Sequence, residues 1–245
     1  MNMRNLGAEA MEWARVAAGA LVAYLAITTV AFANYSIPSE SMIPTLEVGD
    51  RVVVSKFAYG YSRHSLPLNA GVLLPASQQR LFGQTPRRGD VVVFVHPRDG
   101  KTMIKRLIGL PGDTIELRGG RLSINGAPLA TTPAHMLIRR AHPSQRERAY
   151  RYDETLPGGV RHGVHDFSAG AHFDDFGPYI VPRGHVFFMG DNRDNSLDSR
   201  WQGMGPGPIE NLIGRAETVY FAPRSCARDP DLTCPMPRWL RPLHN

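Results

Sequence analysis

Short runs of β-branched and aromatic residues, separated by turns rich in glycine, make up most of the chain after Pro44. The 245 residues include 24 Gly and 20 Pro, and turns at such short spacing favour strands over long helices. The clearest runs are Arg51–Phe57, Val91–Val95, Thr114–Leu117, Arg121–Ile124, His185–Met189 and Glu217–Phe221. Since no helical periodicity appears in this part of the chain, we predict a mainly β body with largely antiparallel strands.

The segment before this body, Val16–Ser39, contains no charged residue. Trp13 and Tyr35 flank its apolar part, and a helix between them would be about 33 Å long, close to the hydrocarbon thickness of a bilayer. Aromatic residues at both ends are typical of the membrane interface. We therefore expect a transmembrane helix over residues 16–35, after a cytoplasmic N-terminus of residues 1–15.

The basic residues around this segment indicate its orientation. Arg4 and Arg15 precede it, and the next basic residue is Arg51, a bias that favours a cytoplasmic N-terminus. This predicts a single-pass membrane protein with its body on the extracytoplasmic side. A cleaved signal peptide is the alternative, because residues 31–33 read Ala-Phe-Ala, the pattern of a cleavage site.

A polar stretch interrupts the pattern of strands. Residues 131–182 lack a clear period and are predicted to form a small inserted subdomain. The insertion divides the body into a first part, residues 36–130, and a second part with the C-terminal tail, residues 183–245. Residues Leu66–Arg87, which are rich in Pro, Gln and Gly, are predicted to be a loop.

The overall charge limits the classes of partner. The formal charge is +6 and the pI about 9.6, yet Lys and Arg are scattered and form no basic run of the kind that binds nucleic acid. We therefore predict no nucleic-acid partner. The positive charge, next to the expected anchor, favours attraction to anionic membrane lipids.

Cysteine and histidine usage gives weak signals. Cys226 and Cys234 could close a small loop by a disulfide in an oxidising compartment, with two reduced thiols as the alternative. His162, His165 and His172 lie in the insertion near several aspartates, but their spacing matches no recognised ligand pattern. The sequence therefore predicts no metal site and no cofactor.

Ser41 and Lys105 are a candidate catalytic pair. A serine hydroxyl needs a base to take its proton, and the nine histidines show no recognisable triad pattern. A lysine can act as that base if burial lowers its pKa from about 10.4. Ser41 lies between Pro38 and Pro44, which stiffen the segment that would carry the nucleophile.

The apolar run around Lys105 gives it a suitable setting. If the run is a strand, Lys105 shares a face with Met103 and Leu107, whereas Arg106 points the opposite way, toward water. A lysine on an apolar face can be desolvated. The alternative is a lysine at a strand edge that extends its ammonium group into solvent.

The segment Gly190–Arg200 packs three Asp, two Asn, two Ser and two Arg into eleven residues. Both signs of charge at this density predict a buried network in which each polar group has a partner. We expect Ser196 to hydrogen-bond Lys105, and Asp198 to pair with Arg200. A calcium- or anion-binding turn is the alternative, although two arginines argue against calcium.

Four stretches resemble the type I signal peptidases (leader peptidases), bacterial membrane proteases with a serine–lysine pair. In the order of that family, they are Ser39–Leu46, Arg88–Phe94, Ile104–Asp113 and Gly190–Arg200. The resemblance covers the body except for the insertion and the tail. It implies a membrane-bound serine endopeptidase that removes signal peptides from exported preproteins, cleaving after small residues at positions −1 and −3.

The resemblance also implies roles for the matching residues. Ser41 would be the nucleophile and Lys105 the general base, and the oxyanion hole would consist of the Ser41 amide and the Ser39 hydroxyl. Ser196 would orient the lysine. The pair Asp198 and Arg200 would support the loop.

The same resemblance places an extended substrate between the segment before Ser41 and the strand leading to Lys105. Ile37, Met42 and Ile104 would then lie near shallow pockets that admit only alanine-sized side chains. One residue departs from the family pattern. Glu40 stands between the two serines where glycine is more usual, and it either disturbs the oxyanion hole or faces water.

Two further interpretations can be compared with this one. An autoproteolytic repressor-type Ser/Lys peptidase would lack both the anchor and the segment Gly190–Arg200. An inactive, membrane-tethered peptide-binding module would use the same groove without turnover.

Overall fold

The computed structural model describes residues 3–65, 80–142, 145–167, 170–222 and 239–244. Within these ranges it contains one long helix, α1 (Met3–Val30), short 3-10 helices at Phe57–Tyr59 and Ile209–Asn211, and 16 strands. The strands are β1 (Phe32–Ser36), β2 (Arg51–Ser55), β3 (Val91–Val95), β4 (Thr102–Gly109), β5 (Thr114–Arg118), β6 (Arg121–Ile124), β7 (Ala127–Pro128), β8 (Ala130–Thr131), β9 (His135–His142), β10 (Gln145–Thr155), β11 (Arg161–Asp166), β12 (Phe176–Ile180), β13 (His185–Met189), β14 (Gly207–Pro208), β15 (Leu212–Phe221) and β16 (Arg241–Pro242).

The strands form one large and two small antiparallel sheets. The large sheet has the order β1-β2-β15-β3-β4-β13-β14, with β16 added to β15. One small sheet joins β8, β9, β10 and β11, and the other has the order β12-β5-β6-β7. The prediction of a mainly β, largely antiparallel body is confirmed.

Five of the six predicted runs lie within strands, whereas the run Arg51–Phe57 leaves its strand after Ser55 and ends in the 3-10 helix Phe57–Tyr59. Asn125 and Gly126 both have positive φ, 55° and 77°, and link β6 to β7. The predicted hairpin at Asn-Gly therefore forms, because glycine and asparagine tolerate this conformation.

Residues 131–182 contain strands that periodicity did not reveal. Strand β10 pairs with β11 on one side and with β8 and β9 on the other. Charged residues recur along β10 on both faces, so it has no continuous apolar stripe that would mark it as a strand. Its main-chain pairing and a few buried side chains, including Ala149 and Tyr152, hold it instead.

The N-terminal helix differs in extent from the predicted anchor of residues 16–35. It ends at Val30, because Phe32–Ser36 pairs with Arg51–Ser55 as the edge strand of the large sheet. Tyr35 packs against the apolar core from this strand. Among the described residues, no helix combines the length and the apolarity that crossing a bilayer requires.

An apolar cluster fixes the segment that contains Ser41 on the large sheet. Ile37, Met42 and Leu46 from this segment pack with Val52 and Val54 of β2, and with residues of β3 and β15. Each buried aliphatic side chain of this size contributes about 1.5–3 kcal/mol to stability. Ile37 before the serine, and Met42 and Leu46 after it, thus fix the chain around Ser41 on the sheet.

Two sequence predictions, a disulfide and a loop, fall wholly or largely outside the described residues. Cys226 and Cys234 lie there, as does most of the predicted loop Leu66–Arg87.

Candidate active site

Ser41 and Lys105, 64 residues apart in the chain, meet in the structure. The Nζ atom of Lys105 lies 2.6 Å from the Oγ atom of Ser41, within hydrogen-bonding distance. Lys105 is 3% exposed and Ser41 6% exposed. Burial lowers the pKa of Lys105 to about 8, an effect that Asp198 and Asp191 oppose and Arg200 assists. An appreciable fraction of Lys105 is therefore neutral at mildly alkaline pH and can accept a proton.

Main-chain hydrogen bonds fix the direction of the serine. Ile43 donates its N–H to the carbonyl of Glu40 over 3.1 Å, which closes a turn around Ser41. The fully buried Asn192 donates its N–H to the Ser41 carbonyl and its side-chain amide to the Glu40 carbonyl, each over 3.1 Å. Asn192 thus connects the segment that carries Ser41 to the loop after β13, which comprises Gly190–Arg200.

Lys105 lies on strand β4, in the interior of the large sheet. Lys105 pairs with Val92 of β3, and the neighbouring Leu107 pairs with Phe188 of β13. A central strand has little freedom to shift its register, because both of its edges are hydrogen-bonded. The position of the ammonium group is therefore set by the sheet.

The expectation that Arg106 points to water is wrong. Its side chain is 3% exposed, and it donates two hydrogen bonds to Asp191, over 2.8 and 2.7 Å. It also donates to the Gly89 carbonyl and to the Thr45 hydroxyl. The alternation of faces along β4 was right, but the far face is covered by the insertion and by the loop after β13, so both faces are buried.

Asp198 and Arg200 form a fully buried ion pair inside the loop after β13. Arg200 donates to both carboxylate oxygens over 2.9 Å, and the Gly190 N–H donates to Oδ2 over the same distance. Burial alone would raise the pKa of Asp198, but the guanidinium group of Arg200 holds it below its ordinary value. Arg200 also donates to the Arg193 carbonyl over 2.6 Å, which closes the loop on itself.

Ser196 lies in the site without the expected hydrogen bond to Lys105. Its buried Oγ atom makes no hydrogen bond to Lys105, and its hydroxyl instead faces Asp198, where it helps to keep the pKa of that carboxyl group below its ordinary value. The lysine directs its hydrogen bond to Ser41. Ser196 is instead packed against the Cα atom of Gly190, where a side chain would collide with both Ser196 and the Ser41 carbonyl.

The two residues before the nucleophile are more open. Ser39 is exposed, and its Oγ atom lies 3.4 Å from that of Ser41, which is long for a hydrogen bond between hydroxyls. The Glu40 carboxylate accepts a hydrogen bond from the side-chain amide of Asn195 over 3.3 Å. Glu40 therefore leans toward the polar loop after β13.

The three residues expected to line substrate pockets belong to one apolar cluster. Ile37 and Met42 are buried within it, whereas Ile104, at 9% exposed, is the most accessible of the three. Met42 thus acts as an anchor of the core in this structure, and the accessible edge of the cluster lies at Ile104.

Sequence reasoning missed the contacts between the insertion and the loop after β13. His165 of β11 donates its N–H to the Asp191 carbonyl, and Arg193 donates its N–H to the His165 carbonyl, both over 2.8 Å. Arg193 also forms a buried, two-pronged ion pair with Glu154 of β10. The dense polar composition of Gly190–Arg200 signalled a buried network, but its partners are too distant in sequence to be identified from it.

His162 is also part of this buried network. Its Nδ1 atom lies 3.3 Å from Asp191, and its Nε2 atom lies 3.7 Å from Glu154. Within the part of the chain that the structure describes, no group of three or more His, Cys, Asp or Glu side chains is arranged to hold a metal ion.

Residues 10–221 match the sequence profile of the family "Signal peptidase, peptidase S26". The chain belongs to this family. As a signal peptidase by family, it is a hydrolase of peptide bonds, a class to which a buried serine–lysine pair is suited.

Individual relatives agree with this signal peptidase assignment. Signal peptidase I of Rickettsia bellii is 34% identical over 231 residues, which cover 91% of this chain and 77% of the relative. Signal peptidase I of Rickettsia canadensis is 36% identical, covering 91% and 84%. A crystal structure of a signal peptidase I from Enterococcus faecalis is 27% identical, with a TM-score of 0.32, covering 54% of this chain and 97% of that one.

Proposed function

We propose that this signal peptidase cleaves signal peptides from exported preproteins with Ser41 as the nucleophile and Lys105 as the general base. The observation that carries the proposal is the 2.6 Å separation of Lys105 Nζ and Ser41 Oγ in a buried site. Neutral Lys105 accepts the hydroxyl proton as Ser41 Oγ attacks the scissile carbonyl carbon. The resulting ammonium then gives that proton to the leaving amine, and the acyl group stays on Ser41.

The second half of the reaction uses the same two groups. Lys105, neutral again, accepts a proton from a water molecule that attacks the acyl carbonyl. The carboxylic acid product leaves, and the proton returns to the serine oxygen. This sequence restores Ser41 and Lys105 to their starting forms, so no cofactor is required by the chemistry.

We place the oxyanion hole of this reaction at Ser39 and Ser41. Its oxygen would accept hydrogen bonds from the Ser41 N–H and from the exposed Ser39 hydroxyl, which is free to rotate toward it. The hydrogen bond from the Asn195 side chain to the Glu40 carboxylate supports this arrangement, because it directs the carboxylate away from the developing negative charge.

The preference for small side chains is assigned to the apolar surface beside the serine. A substrate strand would bind by main-chain hydrogen bonds between the segment before Ser41 and β4. Its side chains would meet the cluster that contains Ile37, Met42 and Ile104, which is already densely packed. Such a surface accepts alanine and rejects larger groups, because overpacking costs about 1–3 kcal/mol.

We also propose that α1 holds the enzyme at the inner membrane, with the β body on the periplasmic side. The helix exposes apolar and aromatic side chains around its circumference, including Trp13, Leu21 and Tyr24. Exposed apolar area of this extent favours transfer to lipid.

Residues Ser196, Asp198 and Arg200 are proposed to support the lysine through the packed loop after β13.

The test of the reaction is a preprotein cleavage assay with Ser41→Ala and Lys105→Met. We expect each change to lower kcat by about 10⁴-fold or more while the β circular dichroism spectrum is retained. Lys101→Met is the matched control, since Lys101 sits just before β4 and its side chain is 79% exposed. Full activity of either variant at the pair would exclude the serine–lysine mechanism, and wild-type enzyme without turnover would favour a peptide-binding module.

A further inference from the structure

A polar cavity of about 280 Å³ lies beside Arg106 of β4. Its wall is formed by residues of β10 and β11, by Val160, by residues 241–244, and by Thr45 and Arg106. The lining includes the side chains of four arginines, and Asp153 is the one acidic residue of the described chain that contributes to it. The cavity therefore has a strongly positive wall.

The charges in this wall are only partly compensated. Arg106 pairs with Asp191, and Arg161 pairs with Asp153, each over 2.7 Å. Arg151 is half-buried, and the described residues give it neither a carboxylate nor a hydrogen-bond acceptor. A partly buried guanidinium group without a counter-ion is unfavourable, so this side of the cavity is complementary to an anion.

A main-chain donor supports the same conclusion. His162 lines the cavity with its side chain 3% exposed, but its Nδ1 atom faces Asp191 and its Nε2 atom faces Glu154, so the donor in question belongs to the next residue, Gly163. Because the His165 N–H points away from β10 toward Asp191, the two-residue period of a strand directs the Gly163 N–H to that same edge of β11.

Gly163 also keeps space open beside Arg151. A Cβ atom at this position would lie 3.0 Å from the Cγ atom of Pro44, 3.5 Å from the Oδ1 atom of Asp153, which is paired with Arg161, and 3.7 Å from the Nε atom of Arg151. A larger residue would therefore fill the cavity next to the guanidinium group. The chain leaves room at the position where a ligand would contact both Arg151 and the edge of β11.

We propose that this cavity binds a phosphate-type anion, either inorganic phosphate or the phosphodiester of an anionic lipid headgroup. The planar guanidinium group donates two parallel hydrogen bonds to such an oxyanion, and the hydroxyl and main-chain N–H groups of the wall add further donors. A bound anion would also contact Arg106, whose guanidinium group holds Asp191 and Thr45. Binding would thereby stabilise the folded site by mass action.

The test is a calorimetric titration of the full chain with inorganic phosphate. The protein is kept in a neutral detergent. Wild type should bind, and Arg151→Gln should weaken binding at least tenfold, as expected when a charge-assisted hydrogen bond is lost. Arg148→Gln is the matched control, because Arg148 is an exposed residue of the same strand outside the cavity. It should bind phosphate as the wild type does.

Competition with vesicles distinguishes the two sources of phosphate. If the natural ligand is a lipid headgroup, phosphatidylglycerol vesicles should displace phosphate from the wild type, and phosphatidylcholine vesicles should not. If it is free phosphate, neither vesicle should displace it. Equal binding by Arg151→Gln and Arg148→Gln, or no binding of phosphate or phosphatidylglycerol by the wild type, would overturn the proposal. Because the measurement is of binding, it does not depend on peptidase activity.

Discussion

One ammonium group determines the pH range in which the proposed mechanism operates. Burial lowers the pKa of Lys105 to about 8, because the charged form loses hydration that the surrounding residues do not fully replace. The carboxylates of Asp191 and Asp198 limit the shift. The site thus combines an apolar environment that favours a neutral base with enough negative charge to keep its pKa close to working pH.

We predict that kcat/KM rises with pH and reaches half of its plateau near pH 8. The direction follows from the requirement for neutral Lys105, whose fraction increases as pH passes upward through its pKa. Initial rates of cleavage of a peptide substrate between pH 6 and 10 measure this profile. A flat profile between pH 6 and 9 would argue against lysine as the base.

A second prediction at the residue scale concerns Gly190. Its missing side chain allows the Ser196 side chain and the Ser41 carbonyl to approach the backbone, and the added Cβ of Gly190→Ala would lie 2.5 Å from that carbonyl oxygen. Because main-chain atoms cannot move aside cheaply, we expect Ser41 to be displaced and kcat to fall about 100-fold.

The control for this change is Gly83→Ala. Gly83 has a conformation open to other residues, and its added Cβ would make contacts of 3.4 Å, close to ordinary van der Waals distance. We expect kcat for this variant to stay near the wild-type value. Equal kcat for Gly190→Ala and wild type in the cleavage assay would show that close packing at Gly190 does not position the serine.

At the scale of elements, the insertion supports the site. Strand β11 binds the loop after β13 through main-chain hydrogen bonds at His165, and β10 adds the buried pair Glu154–Arg193. The same loop holds the Ser41 carbonyl through Asn192. Residues 131–182 are therefore connected to the nucleophile by a short series of direct contacts.

We predict that Glu154→Gln destabilises the fold by about 3–5 kcal/mol, because it leaves the buried guanidinium group of Arg193 without its carboxylate. Asp153→Asn removes a neighbouring charge whose partner, Arg161, is exposed, and should cost no more than about 1 kcal/mol.

Urea unfolding measures the change in the free energy of unfolding for both variants. Replacement of both members of the buried pair by apolar residues should recover stability lost by Glu154→Gln. If the two single variants unfold at the same urea concentration, the buried ion pair contributes no more to stability than the exposed one.

Strand β1 bears on the Ala-Phe-Ala pattern at residues 31–33. Phe32 and Ala33 pair with Ser55 and Val54 of β2, and the Ala31 carbonyl accepts a hydrogen bond from Lys56 over 2.9 Å. A peptidase that binds substrates by adding a strand needs these main-chain groups to be free. Their engagement in the sheet accounts for how the chain can carry this pattern and still be spared by the activity proposed for it.

At the scale of the whole molecule, the N-terminal helix and the β body make separable contributions. The described side chains of α1 are exposed, whereas β1 is part of the large sheet. Among the side chains that the structure describes, the core clusters contain residues of the body and none from α1. The body's stability therefore depends little on the helix.

We predict that a chain beginning at Ala31 keeps its fold and its activity on a soluble peptide but loses most of its affinity for lipid vesicles. The reason is that α1 supplies exposed apolar surface and little packing. Vesicle co-sedimentation and peptide cleavage, measured on the full and shortened chains, test the two parts separately. Undiminished vesicle binding by the shortened chain would assign the membrane contact to the body.

Much of the architecture was predictable because the relevant signals are local. Runs such as Val91–Val95 and turns such as Asn125-Gly126 encode strands and hairpins within a few residues. The strand β10 was not predictable, since charged residues on both of its faces leave no apolar stripe. Arg106 illustrates the same limit, because its face was correctly assigned but its burial depends on Asp191.

By itself, the sequence determined the residue types, the spacing of the strands and the alternation that puts Lys105 and Arg106 on opposite faces of β4. These follow from chain geometry and local conformational preference. Only the tertiary structure decided that Lys105 reaches Ser41, that Ser196 makes no hydrogen bond to it, and that the insertion supports the loop after β13. Such contacts join residues far apart in sequence, and both their distances and the dielectric environment that shifts a pKa exist only once the strands have packed.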